Sequence, residues 1–272
     1  MEIISSVQNP LIKETKKLQQ KKYRDLRGEF LAEGVRLVEE GLKADSLRGA
    51  FYEEGILNQA RGQALLWQLE QMLKAGKLEY CQQVSSAVLQ YMAQTQTPQG
   101  IVAVAAKRQV SLSSIVADKT VGLILIVDGV SDPGNLGTLI RTAWAAGAEA
   151  VVCLPGTVDC YNAKTIRSTM GAVFEVPLIT GEDWPTVEQW CRQRDYQLVA
   201  GDLSADTAYF SCSYAKRVAL IVGSEGQGLS AVKPTEVDLL IKIPLANEVE
   251  SLNAAVAGSL LLYEVVRQRK QL

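Results

Sequence analysis

The apolar and polar positions of the first 107 residues alternate in short blocks, and this pattern predicts a small α/β domain. Helical periodicity begins in the basic stretch "NPLIKETKKLQQKKYRDL" and returns in "VRLVEEGLKA" and "ALLWQLEQMLKAG". A fourth helix, with a serine cap, is predicted at "SSAVLQYMAQ". The strands between the helices are predicted at "GEFLAEG", "GAFYEE", "KLEYCQ" and "GIVAVAA".

From residue 121 the apolar runs lengthen and alternate with helical patterns, as in a mostly parallel sheet covered on both faces. The predicted strands are "LILIVDG", "AEAVVCLP", "FEVPLIT", "YQLVAGD", "VALIVGSE" and "LLIKIPL". The predicted helices span residues 135–147, about 163–170, 184–194 and 251–269. Residues 108–120 are polar and lack strong periodicity. They are predicted to link a first domain, residues 1–107, to a second, residues 121–272.

The chain of 272 residues contains no histidine, and this absence excludes several chemistries. Ser-His-Asp and Cys-His catalysis, imidazole general bases and histidine-ligated metals all need that side chain. The five cysteines are widely spaced and form no CxxC pair, so we expect reduced thiols and no metal site. The apolar pattern contains neither a membrane span nor a signal-peptide core, and the expected compartment is the cytoplasm.

Positive charge is concentrated at the N-terminus, although the formal net charge of the whole chain is −2. The first 27 residues contain seven basic side chains and three acidic ones. Such a stripe attracts phosphate groups, but taken alone it is more typical of a solvated helix face. The candidates for phosphate contact are Lys13, Lys16, Lys17, Lys21, Lys22 and Arg24.

Polar residues that directly follow buried strands deserve most weight, because ligands of such sheets bind beyond the carboxyl ends of the strands. The first such cluster is "VSDPGNLGTLIRTAWAAGA", in which Asn135 can cap the following helix. The side chain of Arg141 is expected to lean back toward Asn135. A capping asparagine with a solvated arginine is the structural alternative. The stripe expected to pack on the sheet comprises Ile140, Ala143, Trp144 and Gly147.

Two further clusters follow later strands. In "ALIVGSEGQGLS" Glu225 lies among glycines that let a ligand approach the main chain, but the spacing fits neither a P-loop nor GxGxxG. In "IKIPLANEVESLNAAVAGSLLLYEVVRQR" Ser251 is predicted to cap a long helix, with Asn253 in its first turn. Taken alone, each is also typical of a structural turn or a capped core helix. A mainly apolar face suited to a partner helix or second subunit comprises Leu252, Val256, Ser259, Leu260 and Tyr263.

Together and in this order, the three clusters resemble the three motifs of the SpoU (TrmH-like) family of RNA ribose 2′-O-methyltransferases, within the SPOUT superfamily. The resemblance covers nearly all of residues 121–269 and includes "NAKTIRSTMGAVFEVP". The N-terminal half resembles the family's small substrate-binding domain, which has a ribosomal-protein-like α/β fold, in "NPLIKETKKL", "GEFLAEGVRLVEEGL" and "TPQGIVAVA". The resemblance makes RNA binding the favoured interpretation of the basic stretch, and it implies a C-terminal domain tied in a trefoil knot.

The resemblance also implies S-adenosylmethionine as cofactor and a homodimer formed through the second domain. The catalytic residues of the family correspond to Asn135, Arg141, Glu225, Ser251 and Asn253, with Arg141 also contacting RNA. The cofactor contacts correspond to Val222, Gly223, Ile243, Pro244 and Leu252. One departure is Asn247-Glu248, where relatives often have a small, glycine-rich pair.

The implied reaction is S-adenosylmethionine-dependent methyl transfer to a ribose 2′-hydroxyl of structured RNA, and the extra N-terminal domain favours ribosomal RNA. Because arginine stays charged, we expect Arg141 to contact RNA phosphate and stabilise a developing alkoxide. One alternative is a SPOUT enzyme that methylates a base or a tRNA ribose. Another is a catalytically silent RNA-binding or ribosome-assembly protein. The missing GxGxxG disfavours a generic Rossmann nucleotide binder.

Overall fold

The computed structural model describes residues 3–115, 120–247 and 249–270. Within these ranges the chain forms two compact units. The first contains the residues up to Gln109 together with Tyr161–Phe174, and the second contains Val110–Cys160 and the residues from Glu175 onward. Residues 116–119 of the predicted linker, and Glu248 of the predicted departure, lie outside the described residues. The predicted domain limits at 107 and 121 stay a prediction.

The first unit is built on a four-stranded sheet with the order β1-β4-β2-β3. Strand β4 is antiparallel to β1 and to β2, while β3 runs parallel to β2. Each of these strands overlaps a run of apolar residues that predicts a strand. Their bounds are β1 Glu29–Glu33, β2 Leu47–Tyr52, β3 Tyr80–Gln83 and β4 Ile101–Ala106.

Helices pack on this sheet through a shared apolar core. Ile12 and Leu18 from the N-terminal segment belong to the same buried cluster as Phe51, Leu89 and Val104. Ser85 caps α5 by accepting a hydrogen bond from the Val88 N–H, as the serine pattern predicts. The helices of this unit, numbered in chain order, are α1 Pro10–Lys17, α2 Lys21–Arg27, α3 Val35–Lys43, α4 Ala60–Lys74, α5 Ser86–Met92 and α7 Ala163–Thr169.

The basic N-terminal stretch forms two helices, and the single helix predicted there is wrong. The helix α1 ends at Lys17, and α2 begins at Lys21. The guanidinium of Arg24 donates to the carbonyl oxygens of Leu18 and Gln19 at 3.0 and 2.7 Å, so it satisfies backbone acceptors that the end of α1 leaves free. The sequence pattern does not predict this break between the helices, because lysine is a good helix former at every position.

The second unit is built on a seven-stranded sheet with the order β7-β6-β5-β10-β8-β11-β9. Every neighbouring pair in it runs parallel. The inner strand β5 is buried on both faces, which explains its uninterrupted apolar run. The strand bounds are β5 Gly122–Asp128, β6 Ala150–Cys153, β7 Leu178–Thr180, β8 Gln197–Gly201, β9 Thr207–Ala208, β10 Arg217–Gly223 and β11 Leu239–Lys242.

Among the described residues, three helices lie wholly in the second unit, α6 Pro133–Ala145, α9 Trp184–Arg192 and α10 Ala254–Lys270, and α8 Ala172–Glu175 crosses the limit between the units. The helix α8 begins within the last residues assigned to the first unit. The strand predicted at "FEVPLIT" is wrong in its first half, because Phe174 and Glu175 belong to α8 and the strand β7 begins only at Leu178. The described part of the predicted linker is not separate from the second unit, because Leu112 and Ile115 lie in its core.

The buried stripe of α6 lies one turn earlier than predicted. Ile140 and Ala143 are buried, but Trp144 is 45% exposed and Gly147 lies beyond the helix. The helix begins at Pro133, so its buried face is formed by Leu136, Gly137, Leu139, Ile140 and Ala143. The helix α10 packs closely beside it, because a side chain at Gly258 would place its Cβ 2.4 Å from Leu139.

All five cysteines are free thiols, and each except Cys212 is buried. Cys153 and Cys160 bring their sulfur atoms to 3.2 Å. Burial raises the pKa of Cys81 to about 11 and that of Cys191 to about 12. Within the described ranges, no helix combines the length and apolar character needed to span a membrane.

Candidate active site

The turn after β5 presents Asn135 on the first turn of α6. Asp132 caps this helix, since its Oδ1 accepts a hydrogen bond from the Asn135 N–H at 2.9 Å. The predicted capping role of Asn135 is therefore wrong: the cap lies three residues earlier. Because Asp132 takes the capping role, the side-chain amide of Asn135 is left for other partners.

Three predicted site residues meet in one hydrogen-bonded cluster, which we call the amide–carboxylate cluster: Asn135, Glu225 and Asn253. The Asn135 Nδ2 donates to Glu225 Oε1, and the Asn253 Nδ2 donates to Asn135 Oδ1 at 2.9 Å. Glu225 Oε1 also accepts the backbone N–H of Ala254 at 3.1 Å. Residues from three distant segments of the chain thus fix one another at the carboxyl ends of the strands.

Asn253 caps α10, and the predicted cap at Ser251 is wrong. The Oδ1 of Asn253 accepts from the N–H groups of Ala255 and Val256 at 3.0 and 3.2 Å. Asparagine is as good a cap as serine, so the sequence alone leaves both positions open. The helix begins at Ala254, and Ser251 lies instead in the wall of a cavity.

That cavity has a volume of about 280 Å³ and lies beyond the carboxyl ends of β8, β10 and β11. Four predicted cofactor residues line it: Val222, Gly223, Ile243 and Leu252. Pro244 is exposed and is not among the lining residues, so its cofactor contact stays a prediction. Its neighbours on either side, Ile243 and Leu245, both face the cavity.

The close backbone packing around the cavity needs glycine at Gly223. A Cβ there would lie 2.3 Å from the carbonyl oxygen of Gly228. The segment between these two glycines folds back on itself, because Ser224 and Gly228 exchange backbone hydrogen bonds at 2.9 and 3.0 Å. The glycine-rich spacing of the second motif therefore forms a tight loop whose residues 223–228 line the cavity.

Two charged residues of the cavity wall are not predicted by the sequence motifs. Asp202 follows β8, and Lys242 ends β11. The Oδ1 of Asp202 accepts from the N–H and the hydroxyl of Ser204 at 2.8 and 2.6 Å, which orients the carboxylate. Both residues follow or end a strand, where ligand-binding residues are expected. Neither lies in a glycine-rich motif, which is the signal that identifies the other clusters. The motifs also do not predict the apolar wall contributed by Leu203, Leu245 and Leu261.

An open groove of about 740 Å³ adjoins the amide–carboxylate cluster on α6 and α10. Asn135 and Asn253 line this groove, whereas Glu225 lines the cavity. The hydrogen bond between Asn135 and Glu225 consequently joins the two concave surfaces. A group held in the groove and a group held in the cavity would meet at this cluster.

Arg141 is exposed on α6 and lines neither the cavity nor the groove. Among the described residues its guanidinium forms no hydrogen bond or ion pair. Its side chain is predicted to lean back toward Asn135, but the two side chains form no hydrogen bond in the described part of the chain. Arg141 is thus available to a partner molecule, since no internal contact holds it.

The basic side chains of the first unit fall into different environments. Arg24 is buried and engages backbone carbonyls, so its predicted RNA contact is wrong. Lys17 pairs with Glu14, and Lys21 pairs with Asp25.

The other three lysines have no carboxylate partner among the residues that the structure describes. Lys16 donates to the Tyr91 carbonyl and lies 4.7 Å from the Tyr91 ring centre, and burial lowers its pKa. Lys13 and Lys22 are exposed, with Lys22 5.9 Å from the ring centre of Tyr23.

A parallel sheet with a cavity beyond its strand ends defines the chain as an α/β protein built to bind a small organic ligand. Residues 122–263 match the model of the SpoU rRNA Methylase family, and residues 9–103 match an MRM3-like substrate binding domain. The chain belongs to the SpoU rRNA methylase family.

Individual relatives are similar along nearly the whole chain. The 23S rRNA (guanosine(2553)-2′-O)-methyltransferase RlmP of Bacillus subtilis is 35% identical over 97% of this chain and 99% of its own. A crystal structure of an RNA 2′-O ribose methyltransferase, also 35% identical, superposes with a TM-score of 0.82 over 99% of this chain and 100% of its own. The AdoMet-bound rRNA methyltransferase of Sinorhizobium meliloti is 30% identical, with a TM-score of 0.85 over 98% of this chain and 97% of its own.

Proposed function

We propose that this protein transfers a methyl group from S-adenosylmethionine to a ribose 2′-hydroxyl of RNA, and that the RNA is ribosomal. The observation that carries this proposal is the amide–carboxylate cluster, which joins a small-molecule cavity to an open groove through residues of three family motifs. The similarity to rRNA 2′-O-methyltransferases along the whole chain supports the reaction and the substrate.

The lining of the cavity suits S-adenosylmethionine in its chemistry. The cavity volume of about 280 Å³ is close to the lower end of the usual range for ligand sites, ~300–1,000 Å³. The loop at residues 223–228 offers backbone groups, Val222, Ile243 and Leu252 offer apolar surface, and Asp202 and Lys242 offer one charge of each sign. When bound, the cofactor supplies an electrophilic methyl group on its sulfonium. The lysine would pair with a carboxylate, and the aspartate with an ammonium or a ribose diol.

We assign the protein side chains the task of holding and stabilising the reacting ribose. Asn135 and Asn253 face the groove, where their amides can hold sugar and phosphate oxygens, and Glu225 keeps both amides in place from the cavity side. Ser251 lies in the cavity wall, near the cap of α10. Fixing two reactants in line can lower the barrier by several kcal/mol, up to ~7–11 at the favourable limit.

Arg141 is the residue we assign to the developing charge on the 2′-oxygen. Its side chain is exposed and lacks internal partners in the described part of the chain, so it can reach an RNA phosphate. A guanidinium stays protonated at neutral pH and therefore stabilises an alkoxide rather than accepting its proton. No histidine is present to take that proton, so its acceptor is another group or water.

The reaction is tested by incubating the purified protein with ribosomal RNA and methyl-labelled S-adenosylmethionine, then mapping the label. We expect the label on a ribose 2′-oxygen. Label on a base would support the base-modifying alternative, and preference for tRNA would contradict the ribosomal assignment. Calorimetric binding of the cofactor without any transfer to RNA would favour the catalytically silent alternative.

Replacing Arg141 by alanine tests its assignment. We expect kcat/KM for RNA to fall by at least ~10²-fold, a loss of about 2.7 kcal/mol in transition-state stabilisation, while cofactor affinity stays the same. The matched control is Lys216→Ala, because Lys216 is an exposed cation just before β10, at the amino end of the strand and away from the cavity. Near-normal turnover of Arg141→Ala would remove Arg141 from the mechanism.

We further propose a cytoplasmic homodimer whose interface includes the exposed apolar face of α10. Val256, Leu260 and Tyr263 are 51%, 41% and 49% exposed, and their spacing places them on one side of the helix. Tyr209 and these three residues all line the open groove, so Tyr209 extends the apolar area. The bacterial rRNA methyltransferases to which the chain is similar support the cytoplasm as its compartment. Family membership supports a trefoil knot formed by the C-terminal segment.

We assign RNA capture to the exposed cations of the first unit. Lys13 and Lys22 are free to contact phosphates, and Lys16, Lys17 and Lys21 can exchange their internal partners for phosphate. Exposed ion pairs are worth only ~0–1 kcal/mol, so exchanging them costs little. The match of residues 9–103 to a substrate binding domain supports this assignment.

A further inference from the structure

Asp128 is a charged residue with no exposed surface, at the last position of β5. Its carboxylate accepts hydrogen bonds from the backbone N–H groups of Ser230, Ala231 and Val232 and from the hydroxyl of Ser230, at 2.7 to 3.1 Å. Burying a carboxylate is costly unless donors replace water. Here three consecutive N–H groups and one hydroxyl, all from one segment more than 100 residues away in sequence, provide that replacement.

These bonds hold the end of a loop whose beginning lies beside Asp128 in the sheet. Gly223, which begins the loop, is the register partner of Asp128 in the ladder between β5 and β10. Ser230, just after the loop, is held by the Asp128 side chain. Asp128 thus lies beside the residue before the loop 224–229 and binds the residue after it, and the loop itself is closed by the pairing of Ser224 with Gly228.

The loop contains the parts of the site that must be placed accurately. Residues 224–228 form one wall of the cavity. Glu225, within that wall, holds the side-chain amide of Asn135 and the N–H of Ala254. A shift of Ser230 away from Asp128 would therefore move the cavity wall and the amide–carboxylate cluster together.

We propose that Asp128 is a positioning residue for the cofactor site, acting through residues 224–229. This inference rests on the proposed function, because it assumes that the cavity binds S-adenosylmethionine. Asp128 is not among the residues that line the cavity in the described part of the chain, so it holds the wall without contacting the ligand. The carboxylate is essential, because both of its oxygens accept hydrogen bonds. An asparagine side chain at this position has only one acceptor oxygen, and its NH₂ group would face the N–H donors of residues 230–232.

The experiment compares Asp128→Asn and Ser230→Ala with the wild-type protein by calorimetry with S-adenosylmethionine and by hydrogen exchange. For Asp128→Asn we expect cofactor affinity to fall at least tenfold, with faster exchange across residues 223–232 and unchanged exchange in β8. For Ser230→Ala, which keeps the three N–H donors, we expect a two- to threefold loss in the same direction. The control is Asp206→Asn, an exposed aspartate that does not line the cavity, and it should match wild type.

The proposal is overturned if folded Asp128→Asn binds S-adenosylmethionine within twofold of wild type and exchange across residues 223–232 is unchanged. Should Asp128→Asn fail to fold, Ser230→Ala decides, and unchanged exchange at residues 230–232 overturns the proposal. If the cavity does not bind S-adenosylmethionine, the result is different, because wild-type protein then shows no cofactor binding by calorimetry, whereas loss of methyl transfer alone leaves this test intact. The exchange measurement without cofactor still reports whether Asp128 orders the loop.

Discussion

At the scale of single residues, the sequence motifs identify candidate site residues, and the fold determines which partners each side chain binds. Asn135, Glu225 and Asn253 all stand out as polar positions near strand ends, but their mutual hydrogen bonds join residues 90 and 118 positions apart. No local pattern encodes such a contact. The same limit explains why the helix caps at Asp132 and Asn253 are predicted instead at neighbouring polar residues of equal capping strength.

Asp202 gives a prediction at this scale. Its carboxylate is oriented by Ser204 and lines the cavity, so replacing it by asparagine removes a charge that can pair with an ammonium or a ribose diol. We expect Asp202→Asn to weaken S-adenosylmethionine binding about tenfold, since a charge-assisted hydrogen bond is worth ~1.5–3 kcal/mol. Calorimetry measures the loss. The control Asp206→Asn changes the same charge on an exposed residue outside the cavity, and equal effects in both variants would contradict the assignment.

At the scale of elements, periodicity predicts the type of most helices and strands and errs at their ends. The buried strand β5 is found at the predicted position because a short, continuous apolar run is typical of a strand covered on both faces in an α/β chain. The two-residue strand β9 is too short to carry a pattern. The break between α1 and α2 depends on Arg24 reaching carbonyls five and six residues earlier, a tertiary effect that helix propensity does not contain.

The basic side chains of α1 and α2 differ in whether they have a carboxylate partner, and this difference gives a prediction about RNA affinity. Lys13 and Lys22 are exposed, whereas Lys17 and Lys21 already have carboxylate partners. We expect Lys13→Gln/Lys22→Gln to reduce the slope of log affinity against log salt by about 1–2, because each lost phosphate contact removes ~0.7–0.9 from it. Filter binding at several salt concentrations provides the slope. Lys74→Gln/Lys77→Gln, which removes two exposed lysines at and just beyond the end of α4, is the control. An unchanged slope in the first variant would assign α1 and α2 to a solvated face.

At the scale of the whole molecule, the parallel class of the large sheet was predictable from the alternation of strands and helices, but its strand order was not. The order places β10 between β5 and β8, and this position brings the loop after β10 to the turn after β5. The cavity, the groove and the Asp128 contacts all depend on that neighbourhood. The first unit likewise recruits Tyr161–Phe174, a segment that the sequence places within the second predicted domain.

The proposed dimer gives a prediction at the same scale. An aspartate at position 260 would place a charge in the centre of the apolar face formed by Val256, Leu260 and Tyr263. We expect Leu260→Asp to raise the dissociation constant of the dimer at least ~100-fold, because burying an unpaired carboxylate is strongly unfavourable. Light scattering during size-exclusion chromatography follows the mass across a dilution series. Trp67→Asp, which alters a 63% exposed aromatic residue on α4, should leave the mass unchanged. A wild-type protein that is monomeric throughout the series would reject the dimer.

The composition of the first unit has a consequence for the order in which the protein is made. Phe30 lies 5.0 Å from the ring centre of Tyr161 and 5.6 Å from that of Phe174, so its buried surroundings come from two separate parts of the chain. During translation the N-terminal residues leave the ribosome well before these two aromatic partners are synthesised. The buried surroundings of Phe30 can therefore be completed only after β5 and β6 of the seven-stranded sheet have been synthesised.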